Sequence, residues 1–178
     1  MKALKTYIIP FVGLKLGKHQ FDYQIDNTFF ECFEYEEFND VNIDLHLNLE
    51  KKSTLLELNF MAEGTVNVNC DITNEPFGLH IKDEFDLVVK FGSEFNNEND
   101  EILILPHGEY EINVAQYIYE LIILAIPAKK VHPGVEDGTL KSDILDRLNE
   151  LNPNTEKEKT DEDIDPRWNN LKKLLTDK

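Results

Sequence analysis

Cysteine is scarce in this chain: Cys32 and Cys70 are the two in 178 residues. Two thiols are too few for a disulfide framework, so an apolar core must carry the fold. Both are expected to be free and buried, in a reducing compartment. Bases are in short supply as well, 18 against 35 acids, for a formal net charge of −17. A surface of that sign repels phosphate, which excludes a broad electrostatic grip on nucleic acid and favours basic partners or plain solubility. The longest apolar stretch, Val114 to Ile126, is interrupted by Gln116 and Glu120 and falls short of the roughly 20 residues that span a bilayer. Near the start, YIIPFV is too brief for the apolar part of a signal peptide and carries Pro10. The expectation is a cytoplasmic protein.

Catalytic signatures are missing too. The chain has no Gly-x-Ser-x-Gly, no P-loop, no dinucleotide fingerprint and no Cys-x-x-Cys pair. Histidines 19, 46, 80, 107 and 132 are scattered, without metal spacing. The acidic stretch Gly92–Asp100 lacks the glycine and glutamate positions of a calcium loop. The residues therefore announce no catalytic group, no metal and no cofactor.

What is present is pattern. Glu111–Pro127, EINVAQYIYELIILAIP, reads as a core helix that a sheet must close over. Asn113 is placed to cap it, Gln116 to complete a capping box, and Pro127 to stop it. Being apolar on nearly all sides, this helix is expected to be buried. Before it, Val41 to Leu49 alternates apolar and polar residues with period two, as do Leu56 to Ala62 and Val66 to Ile72. Glu63-Gly64 reads as a tight turn between the last two, and Asn74-Glu75-Pro76 as the next turn. A long strand follows, with Leu79, Ile81, Phe85, Leu87, Val89 and Phe91 inward. Shorter strands are expected at Tyr7–Val12, His19–Ile25 and Ile102–Leu105, and a short helix capped by Asp26-Asn27. Gly92–Asp100 reads as a loop. The fold class is α+β: an antiparallel β meander, with closure into a barrel left open, packed by the core helix.

The organisation predicted is a core domain over residues 1–127, an acidic linker over 128–164, and a helical motif over 165–178. The linker is expected to hold one short helix after Ser142 and to be disordered over Asn152–Asp163, where apolar residues are few. Asp165-Pro166 then reads as an N-cap with proline at the first helical position. Trp168, Leu171, Leu174 and Leu175 form a stripe beside Arg167, Lys172 and Lys173. This element either covers the core or docks on a partner.

Three stretches together resemble the YceD-like family of large ribosomal RNA subunit accumulation proteins. They are NCDITNEPF around Cys70 and Pro76, the core helix with its closing Pro127, and DPRWNNLKKLL from Asp165 to Leu175. The resemblance implies a non-enzymatic role in the synthesis, processing or stability of large-subunit ribosomal RNA in the bacterial cytoplasm. It makes Asp165, Pro166, Arg167, Trp168, Leu171, Lys172, Lys173 and Leu174 the candidate partner-binding residues. Cys70, Pro76 and Pro127 become structural members of the motif. Many family members carry a second cysteine three residues after the first, and more after the helix, a set suited to zinc. Here Thr73 takes the first of those places, and AKKVHPGVEDG after the helix has no cysteine. No metal is therefore expected. The partner implied is a large-subunit precursor, with RNA contact confined to local basic sites and no membrane. The alternative is an acidic binding module, or escort, for a basic ribosomal protein.

Overall fold

Six strands hydrogen-bond side by side in a computed structural model that describes residues 3–151. They are β2 (Gly17–Ile25), β3 (Asp40–Lys51), β4 (Leu55–Asn69), β5 (Pro76–Gly92), β6 (Asn96–Asn99) and β7 (Ile102–Pro106). Their order across the sheet is β2-β3-β4-β5-β7-β6, with β2 and β6 at the two edges, so the sheet is open rather than closed into a barrel. A two-stranded ribbon pairs β1 (Ile8–Ile9) with β8 (Ile112–Asn113). Helices α1 (Asn27–Glu31), α2 (Ala115–Leu124), α3 (Pro133–Glu136) and α4 (Asp143–Leu151) complete the described residues.

The alternation seen in the sequence is what builds the sheet. Val41, Ile43, Leu45, Leu47 and Leu49 of β3 are all buried, as are Leu56, Leu58, Phe60 and Ala62 of β4. Their neighbours Asn42, Asp44, His46 and Met61 face water. Burying that many branched and aromatic side chains, at about 1.5–3 kcal/mol each, is what holds the sheet's inner face closed. Helix α2 packs on that face against β4 and β5, with the Tyr117 ring stacked at 14° on Phe85. A second aromatic group gathers where α1 meets β3: Phe29 and Phe30 touch edge to face, and Phe38 closes on Phe30 at 5.0 Å. Lys51 ties down the N-terminal segment, its Nζ donating to the carbonyl oxygens of Phe11 at 2.8 Å and Leu14 at 2.9 Å.

Caps behave as local chemistry dictates. The Asp26 carboxylate accepts from the Thr28 N–H at 3.0 Å, and the Ser142 hydroxyl accepts from Ile144 at 3.4 Å. Asn113 accepts from Ala115 at 2.9 Å, while Gln116 turns outward to Glu120 instead of reaching back to complete a capping box.

Several expectations are corrected. Glu63-Gly64 is not a turn: β4 runs unbroken from Leu55 to Asn69, pairing Gly64 with both Ile43 and Ile81. The inward residues on either side of Gly64 share one parity, so nothing required a break there. The meander is antiparallel only as far as β5. The chain then skips a place: β7 lies parallel to β5, and β6 is displaced to the edge beyond it. Apolar Ile102–Leu105 occupies the inner position, and polar Asn96–Asn99, expected to be loop, guards the edge. The strand expected over Tyr7–Val12 shrinks to Ile8–Ile9 between two 3₁₀ turns. Helix α2 buries one face, Ala115, Ile118, Leu121 and Ile122, and leaves Leu124 79 % exposed. Cys32 is free but exposed; Cys70 is free and buried.

The described residues divide into two units, the boundary falling between Thr139 and Leu140. In the second unit, α4 carries Ile144 and Leu148 on an exposed stripe.

Candidate functional site

The first of the three family-like stretches, the Cys70 turn, meets in space the segment that follows the second, just past Pro127. The hairpin between β4 and β5 turns through Cys70–Glu75, closed by the Cys70 N–H on the Glu75 carbonyl at 2.9 Å. Asn74 sits at φ 58°, which asparagine tolerates better than most residues, and donates back to the Cys70 carbonyl at 2.8 Å. Pro76 is the first residue of β5, where a missing N–H does no harm to the ladder. The segment after Pro127 runs past this turn. Asp71 N–H donates to the Lys130 carbonyl at 2.8 Å, and Lys130 N–H to the Asp71 carboxylate at 2.6 Å. His132 N–H donates to the Cys70 sulfur at 3.3 Å. The His132 ring packs edge-on against Phe77 and caps α3 by accepting from Gly134 N–H at 2.9 Å. These bonds carry the first unit on past the end of α2.

Cys70 is thus an acceptor at the centre of a hydrogen-bonded clasp. It lies just past the end of β4, in the turn rather than on a strand, and is 2 % exposed. Burial pushes its thiol up. Hydrogen bonds from the Thr73 hydroxyl and from the N–H groups of His132, Thr73 and Ile72 outweigh that and bring it to about 7. Thr73, itself buried, stands where the resemblance places a second cysteine and supplies a donor instead of a thiolate.

These residues do not fit zinc. One thiolate is present where a structural site takes four ligands. The His132 Nδ1 is taken by Gly134, and the segment offers no further thiol. Among the described residues no three His, Cys, Asp or Glu side chains converge on a common point.

The clasp makes a prediction. A thiol at about 7 in the folded chain and at about 8.5 when unfolded takes up a proton on unfolding between those values. Stability should therefore rise with pH across that window, be fully present above it, and be lost as pH falls through 7. Cys70→Ala leaves the His132 N–H without its acceptor and opens a small cavity, for a loss of about 1–3 kcal/mol. Urea melts near neutral and near pH 9 test both points. A variant that keeps the wild-type pH slope would show that another group is responsible.

The candidate partner-binding residues, Asp165, Pro166, Arg167, Trp168, Leu171, Lys172, Lys173 and Leu174, lie outside the described residues, as does the expected disorder over Asn152–Asp163. Nothing in the composition singled out Lys130 and His132; their bonds to Asp71 and Cys70 are made by backbone groups, which every residue type but proline provides in full. No helix among the described residues is long and apolar enough to cross a membrane. No curated protein and no solved structure matches the chain. A family model does: it is described as large ribosomal RNA subunit accumulation protein YceD, and it matches residues 58–175. The match begins in β4, takes in the Cys70 turn, α2 and the clasp, and runs on through the terminal Asp165–Leu175 stretch. Covering well over half of the sequence with the features just described, it shows that the chain belongs to the YceD family.

Proposed function

We propose that the protein is a non-enzymatic ribosome-biogenesis factor of the bacterial cytoplasm, supporting synthesis, processing or stability of large-subunit ribosomal RNA. The family match over residues 58–175 is the observation that supports this reading. The terminal motif is its contact element. Arg167 and Trp168 are residue types that anchor interfaces, and Leu171, Lys172, Lys173 and Leu174 continue an amphipathic basic stripe. With a net charge of −17, RNA is met at such local basic sites or not at all.

The same charge favours a second reading, in which the protein escorts a basic ribosomal protein and the RNA responds indirectly. Sedimentation of the tagged full chain from lysate, with and without nuclease, tests both. Co-migration with large-subunit precursors that nuclease abolishes is expected under RNA contact. Association with a basic protein that survives nuclease supports the escort. No association under either condition would overturn both.

A further inference from the structure

The sequence of α2 is apolar on nearly every side, yet the sheet covers one of its faces. Tyr117, Tyr119 and Ile123 are left half-buried and Leu124 is 79 % exposed. These side chains form one wall of a groove of about 790 Å³. Phe85 of β5 and Leu103 and Leu105 of β7 lie along its floor and far wall. Phe95, in the connection before β6, stands beside it at 57 % exposure. An apolar surface of this kind on the outside of a folded unit marks a place where something docks.

The charge around the groove says what kind of thing. Asp83, Glu84, Asp100, Glu111 and Glu120 line it, and no lysine, arginine or histidine does. Among the described residues none of the five is ion-paired. Phosphate would be repelled here. A small apolar ligand would use the floor and leave the acids unmatched. A polypeptide with lysine or arginine flanking spaced apolar side chains satisfies both at once, as in the binding of an amphipathic segment in a groove.

We propose that the groove between α2 and the β5-β7-β6 side of the sheet binds a basic polypeptide segment with spaced apolar side chains. The inference rests on the reading above that the protein acts by binding, and it supplies the chemistry of one partner. It does not depend on which ribosomal step is served.

The test uses the purified full chain and a fluorescent lysine–leucine peptide about four helical turns long, its leucines three and four residues apart. Three controls run beside it: the peptide with glutamate for lysine, the peptide with serine for leucine, and an Asp44→Lys chain. Asp44 is exposed on the opposite, solvent face of the sheet, so that variant measures attraction to the acidic surface at large.

The expected result is saturable binding of the lysine–leucine peptide, weakened by salt near 0.15 M, with neither altered peptide binding. Leu124→Ser and Glu120→Lys should each weaken it about tenfold, and Asp44→Lys should leave it within about twofold. Phe95→Ser serves as the second apolar variant should Leu124→Ser melt below the wild type. No binding, equal binding of the glutamate peptide, or equal loss in Asp44→Lys would overturn the proposal. So would self-association of the chain that Leu124→Ser abolishes, which would give the face to a second copy. A marked tightening on removal of the residues after Pro153 would give it to the chain's own end. Each of these results leaves the sedimentation experiment, and hence the ribosomal reading, untouched.

Discussion

Gly64→Ala is expected to lower the melting temperature by about 10 °C or more. Gly64 lies mid-strand in β4, opposite Ile43 of β3 and Ile81 of β5. A Cβ added there would fall onto the carbonyl oxygen of Asn42, 2.6 Å from the Ile43 Cα and 3.1 Å from the Asn42 carbonyl carbon. All three are backbone atoms held in a ladder, so no rotamer change relieves the clash. Strands β3 and β4 must part or bulge. Overpacking that side chains absorb costs roughly 1–3 kcal/mol, and a backbone clash belongs at or above the top of that range. For a domain whose whole stability is about 5–15 kcal/mol, that is a large share. Gly78→Ala is the comparison: its added Cβ meets only the Thr65 Cγ2, at 3.2 Å, and a methyl can turn aside. It should cost about 1 kcal/mol or less. Equal melting of the two variants by calorimetry would mean that β3 and β4 do not pair in this register.

Ending the chain after Pro153 should have the largest effect on function. It removes Asp165 and Pro166, Arg167 and Trp168, and Leu171 and Leu174 with the two lysines between them. Under the proposed role the shortened protein keeps its melting temperature within about 2 °C, because a contact element adds no burial to the fold. The level of large-subunit ribosomal RNA should then fall to that of cells lacking the protein. Were the same residues part of the core, the melting point should drop by several degrees instead, since a buried tryptophan and leucines are worth several kcal/mol. A joint Arg167→Ala and Trp168→Ala change separates the anchors from mere length and should reproduce most of the loss. A shortened protein that sustains normal accumulation would end the proposal that these residues are the contact.

The family was legible in the residues because its three motifs are local strings, each readable without knowing what it touches. The same is true of the strand interiors and of the caps. Side chains alternate about a strand with period two whatever it pairs with, so Val41–Leu49 and Leu56–Ala62 declared their inward faces. Asp26 and Asn113 accept N–H groups two residues away, a distance the chain itself sets. What only the tertiary structure decided is pairing. Gly64 looks like a turn until β3 and β5 are seen on both sides of it, because a glycine serves either a reversal or a close approach. The exchange of places between β6 and β7 follows from which strand has the better apolar row for the inner position, a comparison between segments rather than a property of either. The clasp between Cys70 and His132 spans 62 residues and depends on a backbone N–H that no side-chain pattern encodes. The groove beside α2 arises the same way. The sequence set how apolar the helix is, and the sheet, by covering one face, determined which of those side chains remain for a partner.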